Sequence, residues 1–326
     1  MADYAVDIDD HLALLRAAER PALVRFAQDT GAPATLSSLP APAAKKIPHP
    51  ITQHGETRDD PYAWMRALNW GEVAQDPTKL DPAIRAHIDA ENAYARAIMA
   101  PTLPLQEQLF QEMKGRVEEN EETVPDPDGP FEYLSRAVPG EQYYQHLRRP
   151  RGGGKEELIL DENVLAKGHA FFAMGGTSVS IDHRLVAYAV DTEGEETYTV
   201  RIREISSGRD FPDALMNTNA NFAWSADGTA LLYAAKDAEF RPRLLYLHRL
   251  GMPQSDDKLV YEEMDPGFEV AVGTTQDKAW IVLSASDNQT SEEYLIDPKR
   301  PAEPPRLIYR RQAGVVFGVD HHDGEF

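Results

Sequence analysis

Cysteine is absent from the 326-residue sequence. That removes disulfides, thiolate metal sites and cysteine nucleophiles together, and it fits a reducing compartment. No run approaches the ~20 apolar residues of a membrane span, so no membrane segment is expected. Basic residues are scarce: 33 Lys+Arg face 54 Asp+Glu, a net charge of −21. Such a charge repels a phosphate backbone and disfavours partners such as nucleic acid or anionic membrane. The start, Met1-Ala2-Asp3 followed by Asp7, Asp9 and Asp10, is unlike the basic start of a signal or transit peptide. These features together predict a cytoplasmic protein. What is present is a 42% apolar and 9% aromatic chain, enough to offset chain entropy and build a core.

The first third reads as helical. Residues 4–30 carry a broken apolar face of Leu12, Leu15, Leu23, Val24 and Phe26 that Thr30-Gly31 stops. Residues 32–50 are rich in Pro, Ala and Ser and read as an extended linker. Asp60-Pro61 is expected to open a short helix with Tyr62, Trp64 and Met65. Asp81-Pro82 is expected to open a longer one, with proline where no backbone donor is missed. Ile84, Ile88, Ala95, Ile98 and Met99 share one helical face. Pro101 and Pro104 are expected to end it, and Leu105, Leu109, Met113 and Val117 mark another helix antiparallel to it.

From about residue 120 the period changes to short β-rich runs between Gly, Pro, Asp and Asn: 185–190, 198–205, 231–235, 244–248, 280–285, 293–296 and 306–309. Tyr198, Val200 and Ile202 alternate with Thr199, Arg201 and Arg203, as in a half-buried antiparallel strand. The runs repeat. A turn aspartate recurs at Asp182, Asp227, Asp277 and Asp323, in steps of 45, 50 and 46 residues. The apolar strands end at Asp191, Asp237 and Asp287, and Leu259-Val260-Tyr261 returns 48 residues later as Leu307-Ile308-Tyr309. Four short strands per 40–50 residues is the period of β-propeller blades. The fold class expected is mainly β: a partial, incomplete β-propeller of about four to five blades, preceded by an α-helical N-terminal segment. A two-sheet sandwich is the second reading. Three residues after Asp323 the chain ends, inside a first hairpin, which suggests a propeller cut short.

Residue chemistry offers no catalytic constellation. The α/β-hydrolase elbow G-x-S-x-G is missing; the nearest stretch, Gly176-Thr177-Ser178-Val179-Ser180, lacks the second glycine. Gly152-Gly153-Gly154-Lys155 fails as a P-loop and, with Arg148, Arg149 and Arg151, reads as a solvated inter-strand loop. His321-His322 beside Asp323 has metal-ligand chemistry, but neighbours on a strand point to opposite faces, so a hairpin turn is the better reading. The acidic runs Glu118-Glu119-Asn120-Glu121-Glu122 and Glu193-Gly194-Glu195-Glu196 read as solvated faces, and Trp224 and Trp280 as core anchors. No catalytic, cofactor-binding or metal-ligating residue is assigned, and no cofactor is expected.

Six stretches in order carry a resemblance. They are His54-Gly55-Glu56-Thr57-Arg58-Asp59-Asp60-Pro61-Tyr62-Ala63-Trp64, Ala90-Glu91-Asn92-Ala93-Tyr94, residues 105–113 (LQEQLFQEM), Leu160-Asp161-Glu162-Asn163, Val179-Ser180-Ile181-Asp182-His183, and residues 191–198 (DTEGEETY). Together they resemble the N-terminal half of the prolyl oligopeptidase family of serine peptidases, with patterns closer to oligopeptidase B than to prolyl oligopeptidase itself. The resemblance runs from about Lys45 to Phe326, and Trp64-Met65-Arg66-Ala67 departs from the more acidic run expected there.

The resemblance implies three parts: an N-terminal extension and Pro/Ala-rich linker over 1–44, a helical segment over 45–118 that packs on a catalytic domain, and a truncated propeller over 119–326. It implies short peptides as substrates, cleaved after Lys or Arg, with the propeller gating access and a missing C-terminal α/β-hydrolase domain as partner. The family's nucleophile, its Asp and His partners, its oxyanion donors and its basic-side-chain pocket lie C-terminal to Phe326. The chain is therefore expected to lack peptidase activity. The alternatives are a non-catalytic propeller-like binding module and the product of a decayed reading frame.

Overall fold

A computed structural model describes residues 40–326. The helix expected over 4–30 and the first part of the linker, 32–39, lie outside the described residues. The chain divides into two compact units, with the boundary between Val117 and Glu118. Among the described residues no helix is long and apolar enough to cross a membrane.

In the first unit, residues 40–49 carry no regular structure. They are held by Trp64 Nε1 donating to the Lys45 carbonyl (2.8 Å) and by Ile47 N–H donating to the Pro61 carbonyl (3.0 Å). The strands β1 (Pro50–Gln53) and β2 (Glu56–Asp59) form a hairpin that turns on His54 and Gly55, both at positive φ. Asp60-Pro61 does not open a helix as expected. The Asp60 carboxylate accepts the Tyr62 N–H (3.2 Å), which makes a local turn, and only a single 3-10 turn, Ala63–Met65, follows before Arg66 turns extended. A short helix, α1 (Trp70–Gln75), stands where none was expected.

Helix α2 (Pro82–Met99) begins as its sequence dictates: the Asp81 carboxylate caps Ala83 N–H at 2.7 Å and Pro82 occupies the first turn. It ends before Pro101, but Pro104 starts the next helix rather than ending this one. That proline lies in the first turn of α3 (Leu103–Lys114), after a 3-10 turn at Ala100–Thr102. Of the apolar faces read from the sequence, Ile84 is buried, while Ile88, Met99, Leu109 and Met113 are exposed.

The second unit is built of antiparallel sheets. The first contains β3 (Asp126–Asp128), β4 (Phe131–Ala137), β5 (Tyr144–Pro150) and β6 (Glu157–Asp161), followed by the single-turn helix α4 (Glu162–Leu165). Next comes a seven-stranded sheet of β7 (Ala173–Val179), β8 (Leu185–Asp191), β9 (Tyr198–Glu204), β10 (Arg209–Trp224), β11 (Ala230–Lys236), β12 (Pro242–Arg249) and β13 (Lys258–Glu262). The last sheet holds β14 (Glu269–Thr274), β15 (Ile281–Ser286), β16 (Ser291–Ile296) and β17 (Arg306–Tyr309).

The seven-stranded sheet is two blades sharing one strand. Residues 209–218 of β10 pair with β9, and residues 218–224 pair with β11. Register shifts fall on both sides of Thr218, and Asn217 and Ala220 take positive φ, so the strand bends there as β-bulges require. The unit is thus an unclosed arc of four four-stranded blades, mainly β and part of a propeller, as expected.

Its core lies between blades. Along β11, Leu231, Tyr233 and Ala235 join one cluster with β8 and β9 residues, while Ala230, Leu232 and Ala234 join another with Val270, Val272 and Ile281. This is the period-2 alternation of a strand with both faces dry. Each fully buried large side chain contributes about 1.5–3 kcal/mol. A third cluster, with Ile159, Leu160, Val186, Tyr188 and Ile205, joins the first blade to the second. The fourth blade is different: in β15 Ile281, Leu283 and Ala285 are buried, whereas Val282, Ser284 and Ser286 are only half-buried.

Candidate functional site

The recurrent turn aspartates are hairpin locks. In the second blade Ser180 Oγ donates to Asp182 (2.7 Å) and accepts Leu185 N–H (2.9 Å), while the Asp182 carboxylate accepts Arg184 N–H (3.1 Å). Ser225 and Asp227 repeat this around Thr229 and Ala230, and Thr275 and Asp277 repeat it around Ala279 and Trp280. The residue after each aspartate, His183, Gly228 or Lys278, takes positive φ. Burial opposes ionisation of Asp182, but the Ser180 hydroxyl and the Arg184 N–H outweigh it and lower its pKa. Asp277 is held down to about 2, chiefly by the Ala279 N–H, with further help from His321 and Thr275. The turn at Asp323 does not follow the pattern. Asp323 and Gly324 both take positive φ inside a tight His322–Glu325 turn.

These turns bring the first strand of each blade to one cleft. A cavity of about 260 Å³ is lined by Asp126, Asp128, Thr177, Ser178, Trp224 and Lys278, among others. Lys278 Nζ, from the fourth blade, lies 2.5 Å from Asp128 Oδ2 of the first. Beside it, the Tyr133 hydroxyl lies 2.8 Å from His183 Nδ1, and Arg148 donates to the His183 carbonyl (2.5 Å) while its guanidinium sits 4.2 Å from the Phe131 ring centroid. Gly129, at φ +55°, passes so close beneath the His183 ring that a Cβ there would collide with it. Burial pushes the His183 pKa down, with Lys278 and Arg148 adding to the shift against Asp128 and Asp182. The arrangement is a narrow polar cleft bridged by one ion pair.

The residues singled out from the sequence have structural partners. Ser180 is spent on its hairpin. Gly152, Gly153 and Gly154 are exposed loop, as read, but Arg148 is not solvated: it is 7% exposed, stacked on Phe131 and paired with Glu157 at 2.7 Å. His321 and His322 part company, His321 meeting Asp277 (2.6 Å) and His322 meeting Asp323 (3.4 Å). Among the described residues no group of three or more His, Asp or Glu is placed to hold a metal. Trp224 is a core anchor, 2% exposed, with Nε1 donating to the Ser178 carbonyl (3.0 Å). Trp280 is not; it is half-buried between Arg306 and Phe326.

Sequence reasoning missed a second in-phase series. The Tyr188 hydroxyl donates to Asp210 (3.1 Å), which also pairs with Arg203; the Tyr233 hydroxyl donates to Asp257 (2.8 Å), which also meets His248. His248 is 0% exposed, and its other nitrogen meets Asp213 at 2.8 Å. Burial raises the Tyr188 pKa to about 12. The spacing of Tyr188 to Tyr233 and of Arg203 to His248 was available in the sequence as the signal.

The match that decides the family is to the prolyl oligopeptidase N-terminal β-propeller domain, over residues 42–326. The chain belongs to the prolyl oligopeptidase family. Among relatives, this family member is 34% identical to dipeptidyl aminopeptidase BI of Pseudoxanthomonas mexicana over 306 residues and 30% identical to Protease 2 of Moraxella lacunata over 292. Each match covers 87% of this chain but only 40% and 41% of the relative. Oligopeptidase B of Leishmania major superposes with a TM-score of 0.76 at 28% identity, covering 87% of this chain and 42% of that one; its Trypanosoma brucei counterpart gives 0.74 at 29%. The chain therefore spans about 40% of the length of the peptidases it matches, their N-terminal propeller region, and the match does not reach a catalytic domain.

Proposed function

We propose that this chain is the access-controlling propeller portion of an oligopeptidase B-like serine endopeptidase acting on short peptides after Lys or Arg, in the cytoplasm. The observation that carries this reading is the propeller-domain match over 42–326 together with coverage of about 40% of oligopeptidase B-like relatives. The helical segment of about 45–118 is the part that docks on an α/β-hydrolase domain; its exposed Leu109, Phe110 and Met113 support this. Residues 119–326 form the propeller part and 1–44 an extension. Catalysis belongs to the α/β-hydrolase domain, and no catalytic, cofactor or metal residue is assigned to these 326 positions.

The test is hydrolysis of a short fluorogenic peptide with arginine before the reporter. The purified chain alone is expected to give no turnover sensitive to a serine-hydrolase inhibitor. Mixed with the C-terminal portion of the Pseudoxanthomonas mexicana relative, beyond the matched region, it is expected to support turnover. Activity of the chain alone, or none after assembly, overturns the proposal.

A further inference from the structure

The first blade carries a hydroxyl, an imidazole and a carboxylate in line. Ser135 in β4 stands directly opposite His146 in β5, and its Oγ lies 3.0 Å from His146 Nδ1. The other ring nitrogen, Nε2, lies 2.7 Å from Glu162 Oε1. A carboxylate only accepts, so Nε2 carries the N–H and Nδ1 turns its lone pair to the Ser135 hydroxyl. In this arrangement a base activates a nucleophile while a third group fixes the base.

The supports are firm. Glu162 opens the single turn of α4, which the Asp161 carboxylate caps through the Asn163 and Val164 N–H groups at 2.9 and 3.3 Å. Asn163 clamps that turn to the residue before β5: its Oδ1 accepts Tyr143 N–H and its Nδ2 donates to the Tyr143 carbonyl, both at 2.9 Å. Glu162 is buried, whereas Ser135 and His146 are half-buried and open to a ligand. Both line a cavity of about 210 Å³, with Leu160, Val179 and Val186 among its apolar walls. Thr123 lines it too. Its hydroxyl accepts Ser135 N–H at 2.9 Å, which leaves its own proton available beside the nucleophile.

We propose that Ser135, His146 and Glu162 form an acyl-transfer site for short-chain carboxylic esters. This goes beyond the proposed function, which leaves peptide hydrolysis to another domain. Ser135 Oγ attacks the ester carbonyl carbon while its proton passes to His146 Nδ1. The bond from that carbon to the alkoxy oxygen breaks, and the alcohol leaves with the proton. Water then attacks the acyl-serine and gives a proton to His146 Nδ1; the acyl carbon parts from Oγ as the carboxylic acid, and Oγ takes that proton back. Ser135 and His146 touch the reacting atoms, and Glu162 is a positioning residue. Ordinary ligand pockets run from roughly 300 to 1,000 Å³, so this smaller cavity suits an acyl group of a few carbons. With the Thr123 hydroxyl as donor to the developing oxyanion, esters with good leaving groups react and peptide bonds do not.

The test is p-nitrophenyl acetate mixed with the full chain. A burst of p-nitrophenol and the gain of one acetyl group at Ser135, located by peptide mass spectrometry, are expected. Ser135→Ala is expected to abolish both, and His146→Gln to slow the burst about a hundredfold. Glu162→Gln is expected to slow it about tenfold or more, and Glu162→Asp to recover part of that loss. If Ser135→Ala does not fold, Ser135→Cys decides, because the chain has no other thiol. Its alkylation by iodoacetamide is expected to be about tenfold faster than in the Ser135→Cys, His146→Gln double variant. No acetylation at Ser135, a burst unchanged in Ser135→Ala or His146→Gln, or equal alkylation of the two thiol variants overturns the inference. Ester turnover without peptide turnover upholds it and leaves the proposed function standing.

Discussion

Lys278 Nζ reaches Asp128 Oδ2 at 2.5 Å across a sequence separation of 150 residues, tying the first hairpin of the fourth blade to the first strand of the first. Both side chains are a little under a third exposed, at 29% and 28%, so solvent screens the pair and its contribution is about 1 kcal/mol or less. Lys278→Ala and Asp128→Ala are expected to lower the urea midpoint slightly, and the double variant to lower it by less than the sum. A coupling that survives unchanged in 1 M salt would be inconsistent with an ion pair at this exposure.

The hydroxyl residue of each turn lock, Ser180, Ser225 or Thr275, is buried and is expected to contribute measurably to stability. Ser225→Ala deprives Ala230 N–H, in a buried position, of its acceptor, at about 1–3 kcal/mol. Ser225→Thr is expected to keep stability within about 0.5 kcal/mol, because Thr275 makes the same contacts one blade later. Denaturant titration of the two variants decides it; equal losses would remove the turn-lock account.

His248 separates two buried carboxylates, one against each ring nitrogen. His248→Ala leaves Asp213 and Asp257 without their shared partner and is expected to cost about 3–5 kcal/mol. Unfolding of the variant within 1 kcal/mol of the parent would show the cluster to be energetically idle.

Acid is expected to destabilise the chain in two stages. The lowered pKa of His183 means that its neutral form is favoured in the fold. The stability it contributes is complete above its unfolded value near 6.5 and is lost as pH falls through the lower folded value. Asp277, held down to about 2, contributes stability that is complete above its unfolded value and is lost as pH falls through about 2. Asp182, Asp191 and Asp227 are shifted in the same direction. Thermal unfolding against pH should therefore fall below about 6.5 and again below about 4. A flat profile from pH 7 to 3 would contradict both assignments.

Glu293 has the opposite sign. Its raised pKa means the fold disfavours the carboxylate, so its cost is absent well below the unfolded value and complete above the folded one. Glu293→Leu is expected to stabilise the isolated chain by about 1 kcal/mol at neutral pH, with the gain shrinking as pH falls through the raised folded value and gone well below the unfolded value near 4.5. Destabilisation at neutral pH would mean that Oε2 has a partner after all.

The outline of the fold was legible because propeller blades are local. Leu185–Asp191, Ala230–Lys236 and Ile281–Ser286 are dense apolar runs fixed by β propensity, and each is bracketed by aspartates that hold the turns through their own neighbours. The strands that were missed, β1 to β7, β10 and β14, are short, polar or glycine-bearing, and they exist because a neighbouring strand supplies their hydrogen bonds. Asp323 stands in a turn as expected, but one made by two positive-φ residues rather than capped by its side chain, a difference that spacing alone does not show.

By itself the sequence determined the β class, the blade period, the Asp81-Pro82 helix start and the family, because these rest on propensities, turn chemistry and residue order within short windows. Only the tertiary structure decided that Lys278 meets Asp128, that Arg148 is buried under His183, and that His248 sits between two aspartates. It also decided that Glu293 is buried against Ser284 with its other carboxylate oxygen unpartnered. Those facts depend on how far each blade turns relative to the last, a sum of bends at places such as Asn217 and Ala220 that no local pattern encodes.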